Sequence, residues 1–196
     1  MEKIGKMKKY AFLKYTPKYK KLFLIEKKNI KRALSVKCVI EHIGSTAIPK
    51  LGGKGIVDLV VGIYSDNLRK HIPTLEKVGY QFRETASIPE RLFFRRDYKI
   101  GKSIRRVHIH LTQFEEKDWN EMIAFRNYLL KHPKEVEEYA TIKRKAVKGA
   151  NGNGEIYREL KRPFMETITK KQLSKNKQAY FIIIRGPLGS GKSTLS

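Results

Sequence analysis

Glu41-His42-Ile43-Gly44-Ser45-Thr46-Ala47-Ile48-Pro49, followed by Lys54-Gly55-Ile56-Val57-Asp58-Leu59-Val60-Val61, is the stretch on which the fold turns. Alternation over 37–43 and again over 55–63 predicts two strands, joined by a Gly- and Pro-containing loop over 44–54. A Gly-Ser pair at the C-terminal end of a strand lets backbone N–H groups and a hydroxyl approach a phosphate, because Gly44 carries no Cβ to hold them off. Period-two alternation puts Asp58 on the face of Ile56 and Val60, opposite Val57, Leu59 and Val61. A lone carboxylate in an apolar strand needs a partner. Asp58 reads equally as a ligand for Mg²⁺, which takes one or two carboxylates plus substrate phosphates and water, and as half of a buried ion pair with Lys54 or a neighbouring Arg.

Working outward, Thr16-Pro17 reads as a helix start, and apolar residues at helical spacing carry that helix to about Ser35. Ser65 or Asp66 caps a second expected helix reaching Val78. Further strands are expected over 80–83, 92–98 and 104–112, so four or five strands share one sheet. In the last of them alternation sends His108 and His110 to one face while Val107, Ile109 and Leu111 enter the core. Two imidazoles so placed fit a shared metal or a phosphate, or two satisfied polar residues at a sheet edge. Arg91, Arg95, Arg96, Arg105 and Arg106 lie nearby in sequence and read as phosphate forks or as solvated strand ends.

The C-terminal half is helical. Asp118 with Glu121 three residues on resembles a capping box, His132-Pro133 ends that helix, and Val136, Tyr139, Ala140 and Val147 mark the face of the next. A third is interrupted at Pro163. These helices are expected on one face of the sheet. The fold class is therefore α/β, with a mixed sheet and C-terminal helices packed on it.

The 196 residues and their 40% hydrophobic content suffice for one domain with a core and a short appendage. Cys38 is the single cysteine, which fits a reducing compartment, and cytoplasm is the expected location. No run approaches ~18 apolar residues, so no membrane partner is expected. The formal charge of +24 is solvated at a cost in self-repulsion or matched by an anion such as phosphate or RNA.

The run 41–49, then Lys54 with Ile56-Val57-Asp58, resembles the signature of the GrpB family, I-E-H-I-G-S-T-S-V-P-G-L followed by K-P-I-I-D-I. Further matches are Arg91-Leu92-Phe93-Phe94-Arg95, His108-Ile109-His110, Phe125-Arg126-Asn127-Tyr128-Leu129 with His132-Pro133, Glu138-Tyr139-Ala140 with Lys143, and Tyr157 with Lys161-Arg162-Pro163-Phe164. The resemblance implies a nucleotidyltransferase-like fold over 1–172 in which Gly44, Ser45 and Asp58 occupy the nucleotide positions, with Glu41, His42, Lys54, His108 and His110 around the same cleft. Within that frame Ser45 is expected to hold a triphosphate and Asp58 the Mg²⁺, with His110 as a further metal ligand; Lys54, Arg95 and Lys161 are expected to meet the negative charge. Active transferases pair two carboxylates on this strand, because two metals clamp the attacking and leaving oxygens. Here Val60 stands where the second would be, so nucleotide binding is expected more firmly than nucleotidyl transfer.

A second motif lies at the end of the chain. Gly186-Pro187-Leu188-Gly189-Ser190-Gly191-Lys192-Ser193 matches G-x-x-x-x-G-K-[ST], and 180–184 reads as the strand that should precede it. In such a loop Gly186 and Gly191 open the backbone to phosphates, Lys192 neutralises them and Ser193 holds Mg²⁺. The expectation is a linker over 173–179 and, over 180–196, the truncated beginning of a P-loop kinase domain, too short to be active. Three functions follow: a domain binding a nucleoside triphosphate or phosphorylated small molecule, an accessory module for an attached kinase, and a basic RNA-binding protein.

Overall fold

The computed structural model describes residues 12–65, 67–100 and 103–185, with side chains as far as Lys175. Its first helix, α1 (Lys18–Leu34), opens where the Thr16 hydroxyl accepts from the Lys18 N–H at 3.4 Å, and it closes at Ser35 in the left-handed region (φ 51°). Tyr19, Phe23, Glu26, Ile30 and Leu34 recur every three or four residues, so one face of α1 is buried along its whole length.

Five strands form one sheet: β1 (Cys38–Ile43), β2 (Val57–Ile63), β3 (Gln81–Phe82), β4 (Arg91–Ile100) and β5 (Ser103–Gln113). Their spatial order is β1-β2-β5-β4-β3. Only β2 and β5 run parallel, pairing Asp58 with His108 and Val60 with His110; the other three pairings are antiparallel. The mixed sheet is as expected. The histidines, however, sit on the central strand rather than at an edge, because β4 folds back beside β5 while β2 takes its other side.

The two faces differ. Val57, Leu59, Val61 and Ile63 with Leu92, Phe94, Val107, Ile109 and Leu111 pack under α1 and α2 (Ile72–Lys77), almost without exposure. Each such side chain contributes about 1.5–3 kcal/mol of burial. On the opposite face Ile43 and Val60 pack against Trp119 of α3 (Lys117–Lys131), and behind it lie α4 (Pro133–Gly149), α5 (Gly154–Glu159) and α6 (Arg162–Arg185). The C-terminal helices thus share one face, as the sequence suggested.

Inside the α1 face, Glu26 has no exposure. Tyr98 donates to its Oε1 at 2.5 Å and Tyr80 donates to its Oε2. Arg96 lies over both tyrosine rings and donates to the Val78 carbonyl at 2.8 Å. With each of its oxygens accepting from a phenol, Glu26 ties α1 to the sheet. Glu26→Gln should cost about 2 kcal/mol, because an amide N–H₂ then meets an O–H donor. Urea unfolding would show a lower midpoint at unchanged slope.

Several local expectations fail for identifiable reasons. The helix expected from Ser65 or Asp66 begins as α-helix only at Ile72, after a 3-10 turn at Arg69–His71, since Pro73 in its first turn has no N–H to bond a carbonyl four residues back; Asp66 lies outside the described residues. The Asp118–Glu121 capping box is not formed. Glu116 occupies the cap without a side-chain bond, and Asp118 instead accepts from Arg91 at 3.1 Å. The apolar run 180–184 continues α6 to Arg185 instead of forming a strand. A short apolar run has no period of its own to separate the two, and here it follows directly on a helix. Gly186, Gly191, Lys192 and Ser193 lie outside the described residues.

Candidate functional site

Gly44 ends β1 with φ 70° and ψ −171°, a conformation open essentially to glycine alone. A Cβ there would stand 2.4 Å from Asp58 Oδ2, so the loop closes directly over the carboxylate. Thr46 holds the turn from below: its hydroxyl donates to the Ile56 carbonyl at 2.9 Å and so accepts, at 3.0 Å, from His42 Nε2. Farther along the loop, a Cβ on Gly53 would stand 2.5 Å from Ser45 Oγ and 3.5 Å from Lys143 Nζ. Gly44, Ser45, Gly53, Asp58 and Lys143 therefore meet in one place.

Asp58 pairs with a histidine of the neighbouring strand. His108 Nδ1 donates to Asp58 Oδ1 at 3.0 Å, and the Asp58 side chain keeps 23% of its surface exposed. Burial pushes the carboxyl up, but the His108 hydrogen bond and the surrounding histidine charges outweigh it and hold it below its ordinary value. One oxygen is thus occupied and the other faces the Gly44 loop. His110, one step along the central strand, is pulled down to about 4 by burial, and its Nδ1 has no hydrogen-bond partner. Phe93 packs its ring against both histidines, with centroids 4.8 and 5.2 Å away.

The helical side of the cleft is cationic. Lys143, on the inner face of α4, is 2% exposed; its Nζ donates to the Gly52 carbonyl and lies 4.8 Å from the Tyr139 ring centre. Among the described residues no carboxylate forms a salt bridge with it. Burial first, and then Lys161 and Arg144, lower its amine to about 7. Lys161, between α5 and α6, is lowered to about 8 by burial and then by Lys54. Lys54 and Lys161 both stand 4.3 Å from the centre of the Tyr157 ring, so two ammonium groups share one aromatic side chain. At the rim, Arg126 bonds Glu41 Oε2 at 2.6 Å and the His42 carbonyl at 3.0 Å, fastening α3 to β1.

Of the expected site residues, the structure gathers Gly44, Ser45, Lys54, Asp58, His108, His110 and Lys161. It sets His42 apart. The register pairs Ile43 with Asp58, so residue 42 points to the other face, where its ring stacks on Phe23 of α1 at 4.8 Å. Burial lowers His42 to about 4, and its role is to brace Thr46. Arg95 stands beside His108 in register but binds Asp97, which Arg106 also holds at 2.8 Å; that carboxyl is kept far below its usual range, the two guanidinium groups overcoming the effect of burial. Lys143 was missed as a site residue. The available signal was a lysine on the apolar stripe Val136, Tyr139, Ala140, Val147.

Among the described residues no group of three His, Cys, Asp or Glu side chains converges to hold a metal. Val60, fully buried against Trp119, fills the position a second carboxylate would need. The donors fit one Mg²⁺ at most, held by Asp58 and by phosphates of a ligand, and do not fit a two-metal clamp.

Fold and cleft together define the class: an α/β protein with a mixed five-stranded sheet, covered on both faces, that gathers cationic side chains around one carboxylate. The chain belongs to the GrpB family, whose model, described as GrpB protein, matches residues 10–171. It is 29% identical over 176 residues to a UPF0157 protein of Halalkalibacterium halodurans, covering 86% of this chain and 87% of that one. To the glutamate-rich protein GrpB of Alkalihalophilus pseudofirmus it is 27% identical over 158 residues, 79% of this chain and 90% of the other. The crystal structure of the conserved protein GrpB from Enterococcus faecalis superposes with a TM-score of 0.73 at 27% identity, covering 85% of this chain and 99% of that one. Among the described residues no helix is long and apolar enough to cross a membrane.

Proposed function

We propose that the cleft binds the phosphate groups of a nucleotide or another phosphorylated small molecule. The observation that carries this reading is the buried Lys143, brought beside Ser45, with Lys161 acting on the same carboxylate and Lys54 beside Lys161. Burying an ammonium is costly unless an anion compensates it, and Asp58 is the one carboxylate whose charge acts on both Lys143 and Lys161. A phosphate seated against the Gly44-Ser45 turn supplies the missing charge, with backbone N–H groups and the Ser45 hydroxyl as donors. A Mg²⁺ at Asp58 would screen and orient the ligand's phosphates.

Binding is expected to depend on pH in a definite sense. In the free protein both lysines lose their protons as pH rises through about 7 and about 8. Over the interval from there to the unfolded value the unfolded chain holds more protons, so the stability of the free protein rises with pH. A bound phosphate reverses this by keeping the lysines charged. Triphosphate affinity should therefore fall on the order of a hundredfold or more between pH ~7 and ~9, with proton uptake on binding, read by titration calorimetry in buffers of different ionisation enthalpy.

The metal is tested separately. Asp58→Asn should lose roughly tenfold in affinity with Mg²⁺ present and little without it. Equal affinity with and without the ion would remove Mg²⁺ from the account while leaving the phosphate site standing.

Nucleotidyl transfer is the finer form of this proposal, and the single carboxylate weighs against it. The same observation favours a second reading, a binding module without chemistry of its own. Incubation with each nucleoside triphosphate, followed by analysis for released pyrophosphate, separates the two.

A further inference from the structure

The outward face of α1 is almost wholly cationic. Lys18, Lys20, Lys21, Leu24, Ile25, Lys28, Lys31 and Arg32 are all exposed, and at about 100° per residue they share one arc of the helix. Six of the eight are cationic and none is acidic. The helix has a single acid, Glu26, and it is turned inward and fully buried. The exposed side of α4 differs: there Lys134, Arg144, Lys145 and Lys148 share the surface with Glu137 and Glu138. Midway along the helix Leu24 and Ile25, on either side of the line through Lys21 and Lys28, keep 53% and 56% of their surface exposed.

We infer that this face of α1 docks on an anionic lipid surface. The lysines match the headgroup charge, and the two adjacent aliphatic side chains enter the headgroup–acyl boundary, as in helices that lie in the plane of a membrane. The expectation of no membrane partner rested on the absence of a spanning segment, which a helix lying on a surface does not need. Leu24 and Ile25 distinguish the occupant. A nucleic-acid site draws on stacking aromatics and on Arg, whereas this arc exposes two aliphatic side chains and no aromatic one and has one Arg among six cations. The placement also suits the rest of the molecule. The inner side of α1 packs on the face of the sheet opposite Asp58, so a docked α1 leaves the cleft turned away from the lipid. The inference does not depend on what the cleft binds.

The test is co-sedimentation of the full chain with vesicles of phosphatidylcholine alone and of phosphatidylcholine with about a third phosphatidylglycerol, beside a fluorescent single-stranded RNA in the same buffer. Binding to the anionic vesicles only, weakening with salt, is the expected result. Each of Lys21→Glu, Lys28→Glu and Lys31→Glu should weaken it by roughly fivefold or more. Leu24→Gln with Ile25→Gln should also weaken it but leave its salt dependence unchanged. Lys134→Glu with Lys148→Glu on α4, a control of similar charge change, should do far less. All the altered side chains are exposed, and circular dichroism checks that each variant is folded. The inference is overturned by no preference for anionic vesicles, by equal loss in the α4 control, by indifference to the Leu24 and Ile25 changes, or by RNA binding in place of vesicle binding.

Discussion

Lys143→Met is expected to make the free protein more stable and to remove its affinity for phosphorylated ligands. The methionine keeps the length of the lysine stem and sets its thioether toward the Phe12 and Tyr139 rings over which the ammonium lies. What disappears is an ammonium that is 2% exposed and held at a depressed pKa by burial. The gain is on the order of 2 kcal/mol at neutral pH after allowing for the Gly52 carbonyl, which loses its donor. That should appear as a higher thermal midpoint, and it should shrink as pH rises and the wild-type amine sheds its proton. Ligand affinity should fall at least about a hundredfold, because a charged hydrogen bond to a desolvated phosphate is lost. A purely structural lysine would give the opposite pair, lower stability and unchanged binding.

Gly44→Ala is expected to damage both stability and binding. The backbone there sits at φ 70° and ψ −171°, and the new Cβ would lie 2.4 Å from Asp58 Oδ2. Strain of this kind costs about 1–3 kcal/mol before any side chain moves. Displacing the carboxylate would also stretch its bond from His108 and shift Ser45, so the total loss is on the order of 3 kcal/mol. At Gly53 a Cβ would meet Ser45 Oγ, a hydroxyl that can rotate away. Gly53→Ala should therefore unfold at a higher denaturant concentration than Gly44→Ala while still weakening ligand binding. Urea midpoints of the two variants and ligand titrations check both halves of the comparison.

How much of this was legible in the sequence depends on which physical signal each residue carries. His108 and His110 could be assigned to one face, and Asp58 to the face of Val60, because a strand has a strict period of two; that the two faces coincide was carried by the family resemblance alone. Gly44 and Ser45 were legible because a glycine at a strand end has few reasons to be there. His42 was misplaced since Glu41 and His42 are consecutive, and only the register Ile43 with Asp58 decides which of them shares the carboxylate's face. A long loop, unlike a two-residue turn, does not set that register. Lys143 sits in α4 more than eighty residues from Asp58, and its approach to Ser45 is a tertiary fact. Its place on an apolar stripe, where a charge needs a reason, was the hint the sequence held. The run 180–184 misled because hydrophobicity without period favours neither strand nor helix.

The wet and dry sides of the sheet follow from the same residues. Alternation fills the α1 face with Val57, Leu59, Val61, Val107, Ile109 and Leu111, leaving Asp58, His108, His110 and Arg95 for the other. The C-terminal helices cover that second face only in part, with Trp119 over Val60 and Lys143 reaching the loop beyond it. The cleft is what lies between these two contacts.

The most direct test of the central claim is equilibrium binding of ATP, GTP, CTP and UTP, and of inorganic pyrophosphate, to the wild-type chain and to Lys143→Met, each with and without Mg²⁺. The account predicts saturable binding by wild type that disappears in Lys143→Met while the variant melts at a higher temperature. Absence of binding by wild type to every one of these ligands, or equal binding by the two proteins, would contradict it.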